Sequence, residues 1–283
     1  MKSVYIYGAG ITGKDVYNNV KNTCDVKGYL DSNPVKWGRR NYGIPVIGGA
    51  DSVHKLEFDE IIVASLAGLE TIRATLLNAG VPNEKINTEY ANKYVRPRLN
   101  FIRDFADIRK NDVTDFAVAE GGVFQGEFAK EINACFPNST LYLFDTFKGF
   151  DVRDIAIENT GGYSESETGH LGIANEEDVI SKLPHPEKAI IRKGYFPETA
   201  KGLENEKFFF VNLDFDLYQP TLEGLRFFYP RLLFRGVILI HDFFTPGYHG
   251  VSQAVYDFEK ELRHDLTVLP IGDHCSIAVV KTK

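Results

Sequence analysis

Two apolar runs in this chain end abruptly in groups that can exchange protons. In FFFVNLDFDLYQPT, residues 208–221, a run of Phe and Val is followed by Asp214 and Asp216 at alternating spacing. In FRGVILIHDFF, residues 234–244, the run Val237 to Ile240 delivers His241 and Asp242, and the loop TPGYHG follows. Short apolar runs bounded by turn residues read as strands buried on both faces of a parallel sheet. Ligands in such sheets bind outside the carboxyl ends of the strands, so two strands ending in acids and a histidine describe a site. Asp is also an ordinary turn and N-cap residue, and one acidic strand end would fit that reading. Two such ends, with a helical stretch between them, favour chemistry by carboxylate and imidazole.

The scaffold for these strands is large. With 283 residues and 43% hydrophobic content the chain has room for two modest domains or one large one, and needs no staples to fold. The net charge of -7, without any basic stripe, argues against nucleic acid and leaves small molecules or protein as partners. Cys24, Cys135 and Cys275 lack CxxC spacing and sit near apolar neighbours, as buried free thiols of a reducing compartment do. The sequence opens on a strand rather than a signal peptide, and no apolar run approaches membrane-spanning length. A cytoplasmic protein without membrane association is expected.

The opening SVYIYGAGITGKDVYNNVKN reads as strand, glycine turn and amphipathic helix, with Gly8, Gly10 and Gly13 in GxGxxG spacing. Glycines there allow a tight turn, close approach of backbone to a phosphate and close helix packing, and the helix N-terminus favours an anion. The strand VKGYLD ends in Asp31, where such folds place an acid for a ribose hydroxyl, although DSNP is equally a good turn. GIPVIGG, a helix around Ser52 to Leu56, the strand EIIVAS and a helix from Leu69 to Ala79 closed by Gly80 complete a small doubly wound sheet. GAGITGKDV, GYLDSNP, GIPVIGG and EIIVAS together resemble the N-terminal domain of PglD-type sugar acyltransferases. That resemblance covers residues 1–90 and implies a nucleotide or nucleotide-sugar binding module, using Gly8, Gly10, Gly13 and Asp31, without any particular reaction. A purely structural domain used for dimer contacts is the alternative. Tyr-x-x-x-Lys pairs of the kind used by NAD-dependent sugar oxidoreductases occur at Tyr17/Lys21 and Tyr256/Lys260, but neither is well placed.

A polar link, TEYANKYVRPRL, leads to a helix with Phe101, Ile102, Phe105 and Ile108 at helical spacing, opening a second domain over residues 94–283. The strand DFAVAE ends in Glu120 and runs into Gly121, Gly122 and Gly126 at the start of a helix. The next strand, TLYLFD, ends in Asp145. A glycine-lined turn beside an acid on the neighbouring strand suits a nucleoside-containing cofactor, because the acid can accept from both ribose hydroxyls. AIIRKG, the two acidic strands and a terminal LTVLPIG/SIAVVK hairpin complete the order of a class I methyltransferase sheet. The expected fold is α/β: a small Rossmann-like N-terminal domain, then a mostly parallel seven-stranded sheet with a terminal antiparallel hairpin.

AEGGVFQGEFA, LFDTFKGF, IIRKGYFPET, VNLDFDLYQPTLEGLRFFYPRL, GVILIHDF and GVSQAVYDF, in this order, resemble the macrocin O-methyltransferase (TylF) family across nearly the whole second domain. The resemblance implies methyl transfer from S-adenosylmethionine to a hydroxyl of a sugar or nucleotide sugar, usually with Mg²⁺. It places the cofactor's amino-acid end near Glu120, Gly121 and Gly122, its ribose on Asp145 and its adenine near Gly194 and Tyr195. It makes Asp214 and Asp242 metal ligands and Asp216 the general base. A cation that acidifies the hydroxyl and a carboxylate that takes its proton address the same obstacle, a poor nucleophile at neutral pH. The family commonly carries two adjacent acids where this chain has His241 and Asp242. Imidazole is a poorer Mg²⁺ ligand, so His241 is expected to bind a softer ion, to act as a base, or to hydrogen-bond at the sheet edge. His249, in the loop beyond, faces either substrate or solvent. The Gly-, Ser- and Glu-rich stretch Asp151 to Asp178 reads as a long loop, expected to be a substrate lid containing Tyr163 and His170. A homo-oligomer is expected. The rival readings are a nucleotide-sugar binding protein with a degenerate methyltransferase domain and an NAD-dependent sugar oxidoreductase.

Overall fold

The computed structural model describes residues 1–65, 68–109, 115–262 and 264–283, with the backbone alone for residues 93–95. The chain divides into two compact units, Met1–Arg96 and Pro97–Lys283.

In the first unit β1 (Lys2–Tyr7) turns through the glycines into α1 (Ile11–Val20), followed by β2 (Cys24–Leu30), the short β3 (Arg40–Asn41), β4 (Ile44–Gly48), β5 (Glu60–Val63), α2 (Leu69–Asn78) and β6 (Ile86–Asn87). The expected helix around Ser52 to Leu56 is a 3-10 turn, Ala50–Lys55. The strand order is β3-β4-β2-β1-β5-β6, parallel except between β3 and β4. β1 therefore lies between β2 and β5, and its glycine turn occupies the switch point of the sheet. The link expected ahead of the second sheet is instead part of a helix, α3 (Glu89–Arg109), with Pro97 inside it. Proline removes one intrahelical donor, and the packing of Ile102, Phe101 and Phe105 on the second core outweighs that loss.

The second unit continues with β7 (Ala117–Gly121), α4 (Glu127–Cys135), β8 (Leu141–Asp145), α5 (Val152–Gly161), α6 (Glu176–Lys182), β9 (Ala189–Lys193), β10 (Phe208–Leu213), α7 (Tyr218–Phe228), β11 (Leu232–Ile240), α8 (His249–Leu262), β12 (Thr267–Pro270) and β13 (Ile277–Val280). Its sheet has the order β12-β13-β11-β10-β7-β8-β9, with β13 antiparallel to both β11 and β12. The stretch Asp151 to Asp178 is not one long loop. Asp151 caps α5 through Arg153 N–H, Gly162 closes it in the left-handed conformation, and Asn175 caps α6.

Alternate residues of β11 reach opposite cores: Ile238 and Ile240 join Leu225, Phe228, Val251 and Phe258, whereas Val237 and Leu239 join Ile102, Ile132 and Val179. β10 is buried along its length, and Phe208 meets Phe228 edge-on at 5.0 Å while Phe210 stacks on Phe136 at 5.8 Å. Each such ring contributes about 1.5–3 kcal/mol by burial, so the strand that delivers Asp214 is held by the centre of the core. Of the cysteines, all free, only Cys275 is buried; Cys24 and Cys135 are part-exposed. Among the described residues no helix is long and apolar enough to cross a membrane.

Candidate functional site

The central strands stop level with one another. Leu213 on β10 pairs with Gly121 on β7 and Ile240 on β11, and the ladder extends one step further as Asp214 N–H donates to the Gly121 carbonyl at 2.8 Å and His241 N–H to the Leu213 carbonyl at 2.9 Å. The glycine turn, Asp214 and His241 are thus brought side by side by strand register alone. Gly121 and Gly122 are required by this closeness. A Cβ on Gly121 would overlap the Phe215 ring, and one on Gly122, whose φ is +79°, would overlap the Asp214 carbonyl. Beyond the strand ends Asp216 and Asp242 both adopt positive φ, +63° and +59°.

Asp214, Asp216, His241 and Asp242 consequently converge, each offering a ligand atom within 4.8 Å of the others. His241 Nδ1 lies 3.0 Å from Asp214 Oδ1 and 2.7 Å from Asp242 Oδ2. Two residues that the sequence reading passed over complete the cluster. Arg98, on α3, donates through Nη2 to Asp214 Oδ2 at 2.7 Å and to Asn212 Oδ1 at 2.8 Å, with its guanidinium 4.1 Å from the centre of the Phe128 ring. Asn212, fully buried in β10, in turn donates to Glu120 Oε1 at 2.9 Å. A polar Asn inside FFFVNL was a legible signal for a buried network. Arg98 beside Pro97 carried none.

These contacts split the acids. Burial pushes the Asp214 carboxyl up, but Arg98 and His241 hold it well below the usual carboxylate range. Burial likewise opposes ionisation of Asp242, and the His241 ring outweighs it. Asp216 is pushed well above the usual range by burial and by Asp242 beside it. Burial disfavours a charge on His241, yet Asp214 and Asp242 raise it well above an ordinary imidazole. The arrangement is ionised carboxylates gripping an imidazole and one carboxyl, Asp216, that holds its proton more tightly. Tyr248 is raised by burial and by the same acids.

Glu120 is 1% exposed, with Oε2 unpartnered, and burial raises its carboxyl well above the usual range against the pull of Arg98. Asp145 does not present a free carboxylate. Oδ2 accepts from the N–H groups of Val123 and Phe124 at 2.8 and 2.9 Å, and Oδ1 from Phe147 at 2.7 Å. A carboxylate has about four acceptor positions, so one remains where two ribose hydroxyls were expected. Gly194, φ +135°, donates its N–H to the Asp145 carbonyl, and Tyr195 follows with its hydroxyl on Asp154 Oδ1 at 2.8 Å and Arg153 stacked 3.4 Å from its ring centre. Thr146, Lys148, Phe150, Gly169, Gly194 and Tyr195 are among the residues lining a cleft of about 530 Å³ there. The cleft does not include the acid cluster.

Tyr163 and His170 lie apart. Tyr163 stacks on Tyr218 at 4.8 Å and its carbonyl accepts from His249 N–H, while His170 is exposed and lies 5.5 Å from the Phe150 ring beside the cleft. In the first unit the Asp31 carboxylate likewise accepts three hydrogen bonds, from Ala9 N–H at 2.8 Å, Asn33 N–H at 2.8 Å and Lys36 Nζ at 2.9 Å, so it locks the glycine turn and keeps one acceptor position. A Cβ on Gly8 would press on the Ala64 carbonyl and one on Gly13 on Gly8, whereas one on Gly10 would meet open space. Of the Tyr-Lys pairs, Lys21 lies over the Tyr17 ring and Tyr256 is half exposed, with Lys260 paired to Asp257.

Residues 94–275, more than half of the chain, match the family model of the macrocin-O-methyltransferases (TylF), and residues 1–87 match a model described as C2185-like, N-terminal. The N-terminal match is thus to a family other than the sugar acyltransferases that the motifs resemble. Mycinamicin III 3''-O-methyltransferase of Micromonospora griseorubida is 24% identical over 218 residues, covering 69% of this chain and 86% of that protein. Among solved structures, a calicheamicin methyltransferase superposes with a TM-score of 0.54 at 17% identity, covering 76% of this chain and 91% of that one. The O-methyltransferase NovP gives 0.51 at 18%, covering 66% and 80%. At these identities the structural likeness speaks for the fold, which is that of the class I methyltransferases.

Proposed function

The chain belongs to the macrocin-O-methyltransferase (TylF) family, and on that premise we propose that it methylates a hydroxyl of a sugar or nucleotide sugar, with Asp216 as the proton acceptor. It is an S-adenosylmethionine-dependent O-methyltransferase; the acceptor and the roles of the residues are our reading. The convergence of Asp214, Asp216, His241 and Asp242 next to the Gly121–Gly122 turn carries it. A methyl sulfonium needs no further activation, so the protein's task is to align oxygen, methyl carbon and sulfur and to remove one proton. As the oxygen–carbon bond forms and the carbon–sulfur bond breaks, the hydroxyl proton passes to the carboxylate form of Asp216. Of the three clustered aspartates it holds a proton most tightly, and Asp214 and Asp242 hold His241 in the same cluster. Glu120 and the glycine turn would receive the cofactor's amino-acid end, Asp145 one ribose hydroxyl, and Gly194 with Tyr195 the adenine. The relative from Micromonospora griseorubida is named for methylation at a 3'' oxygen of mycinamicin III, which supports an oxygen acceptor.

Divalent metal belongs to the same reading. Three carboxylates and an imidazole with ligand atoms within 4.8 Å have the spacing of a cation site, in which Asp214 and Asp242 would be the ligands. The His241 nitrogen suits Mn²⁺ or Fe²⁺ better than Mg²⁺. A bound ion would lower the hydroxyl's pKa. In the first unit, the open space over Gly10 at the start of α1 supports approach of the phosphate of a nucleotide sugar.

A thermal-shift panel tests this reading, because only ligands of the native state raise the transition. S-adenosylhomocysteine is expected to raise it, UDP-sugars to add to it and NADH to leave it unchanged. Stabilisation by NADH without any by S-adenosylhomocysteine would overturn the assignment.

A further inference from the structure

The helix that follows the first acidic strand end has no side-chain cap of its own. α7 begins at Tyr218, two residues after Asp216, and its N-cap is Leu217, whose side chain makes no cap hydrogen bond. α8 begins at His249, in the loop that follows Asp242. Both N-termini are served from elsewhere, by the end of α5. Glu158 Oε1 accepts from Tyr218 N–H at 2.7 Å, and the Tyr163 carbonyl accepts from His249 N–H at 3.1 Å. The same Glu158 oxygen lies so close to the second residue of α8 that a Cβ on Gly250 would sit 2.9 Å from it. Glu158 is 0% exposed and its other oxygen has no partner. The starts of α7 and α8 thus meet at this one oxygen.

We propose that Glu158 is a positioning residue of the methyltransferase site: by capping α7 while packing against the start of α8, it fixes the spacing of the loops that carry Asp216 and Asp242. This rests on the acid cluster being the reactive centre, and adds that its geometry is set from α5. The turn Leu217–Tyr218 that Glu158 holds is the one that releases Asp216 in its left-handed conformation. The ring of Tyr163, stacked on Tyr218, secures the same joint from the outside.

The readout is the ring-nitrogen spectrum of His241, assigned by the His241→Asn variant, in full-length protein saturated with S-adenosylhomocysteine. Glu158→Ala is expected to shift or broaden the His241 signals, reporting altered contact with Asp214 and Asp242. Glu158→Gln, which keeps an oxygen for Tyr218 N–H, is expected to bring them back toward wild type. Gly250→Ala presses on the same contact from α8 and should displace the signals even if Glu158→Ala fails to fold. A cap that only stabilises the fold would lower the melting temperature in these variants while leaving His241 unmoved, and that result would overturn the proposal. Because no acceptor is needed, an error in the acceptor assignment would leave this outcome unchanged.

Discussion

At the scale of single residues, the acids of this chain divide into those that hold backbone and those that face a reaction. Asp31 and Asp145 both stand where a ribose acceptor belongs, yet both bind the N–H groups of a glycine turn. Asp145→Ala is therefore expected to weaken S-adenosylhomocysteine binding by about 1.5–3 kcal/mol, through the loop as well as through the lost acceptor. Calorimetry showing wild-type affinity would remove Asp145 from the site. Asp154 gives a pH dependence whose sign can be worked out. Burial raises its carboxyl to about 6, so its protonated form favours the fold, and that stability is lost as the pH rises from the ordinary carboxyl value through about 6. Asp154→Asn keeps an acceptor for the Tyr195 hydroxyl but cannot ionise. Its stability relative to wild type should rise by about 1–2 kcal/mol between about pH 4 and pH 7, measured by denaturant unfolding. A difference that stays flat across that range would contradict the assigned burial. The residues at the strand ends were legible because acids following apolar runs are conspicuous. Which of their oxygens are already taken was not, since that depends on loop N–H groups whose direction only the folded turn fixes.

At the scale of elements, strand register does most of the positioning and one helix supplies what the strands lack. Leu213, Gly121 and Ile240 end level, and the continuous apolar runs of β10 and β11 make those strands readable. The segment whose sequence reads as a polar link is helical, and it brings Arg98 to Asp214 and Asn212 from outside the sheet. Proline and polar side chains argued locally for a break, and tertiary packing of Ile102 and Phe105 outweighed them. Arg98→Leu leaves Asp214 with a buried, half-paired charge and is expected to destabilise the second unit by about 3–5 kcal/mol. A midpoint of chemical unfolding unchanged from wild type would show that Asp214 does not depend on this guanidinium. The stretch after Asp151 departs from the expected loop for a related reason. Its Gly and Ser residues mark the loop around residues 162–175, but they hid α5, whose buried face carries Asp154 and Glu158 and so lacks an apolar stripe.

At the scale of the whole molecule, two α/β units each present a glycine turn at the end of a central strand, and the family match assigns methyl transfer to the second. Gly10 isolates the role of the first. Its φ is negative and its Cβ position is open, so Gly10→Val should fold with stability within about 0.5 kcal/mol of wild type. If the turn receives a nucleotide sugar's phosphate, that variant should lose UDP-sugar binding in calorimetry, while retained binding would reduce the turn to architecture. The central claim, proton removal by Asp216 from a hydroxyl methylated by S-adenosylmethionine, is tested most directly by single-turnover transfer of a labelled methyl group. Wild type and Asp216→Asn, each saturated with cofactor, would be compared across a panel of free and nucleotide-linked sugars. The expected result is a labelled methyl ether formed by wild type, and a variant slower by about 10²–10⁴-fold with undiminished S-adenosylhomocysteine affinity. Transfer at the wild-type rate by Asp216→Asn would contradict the account.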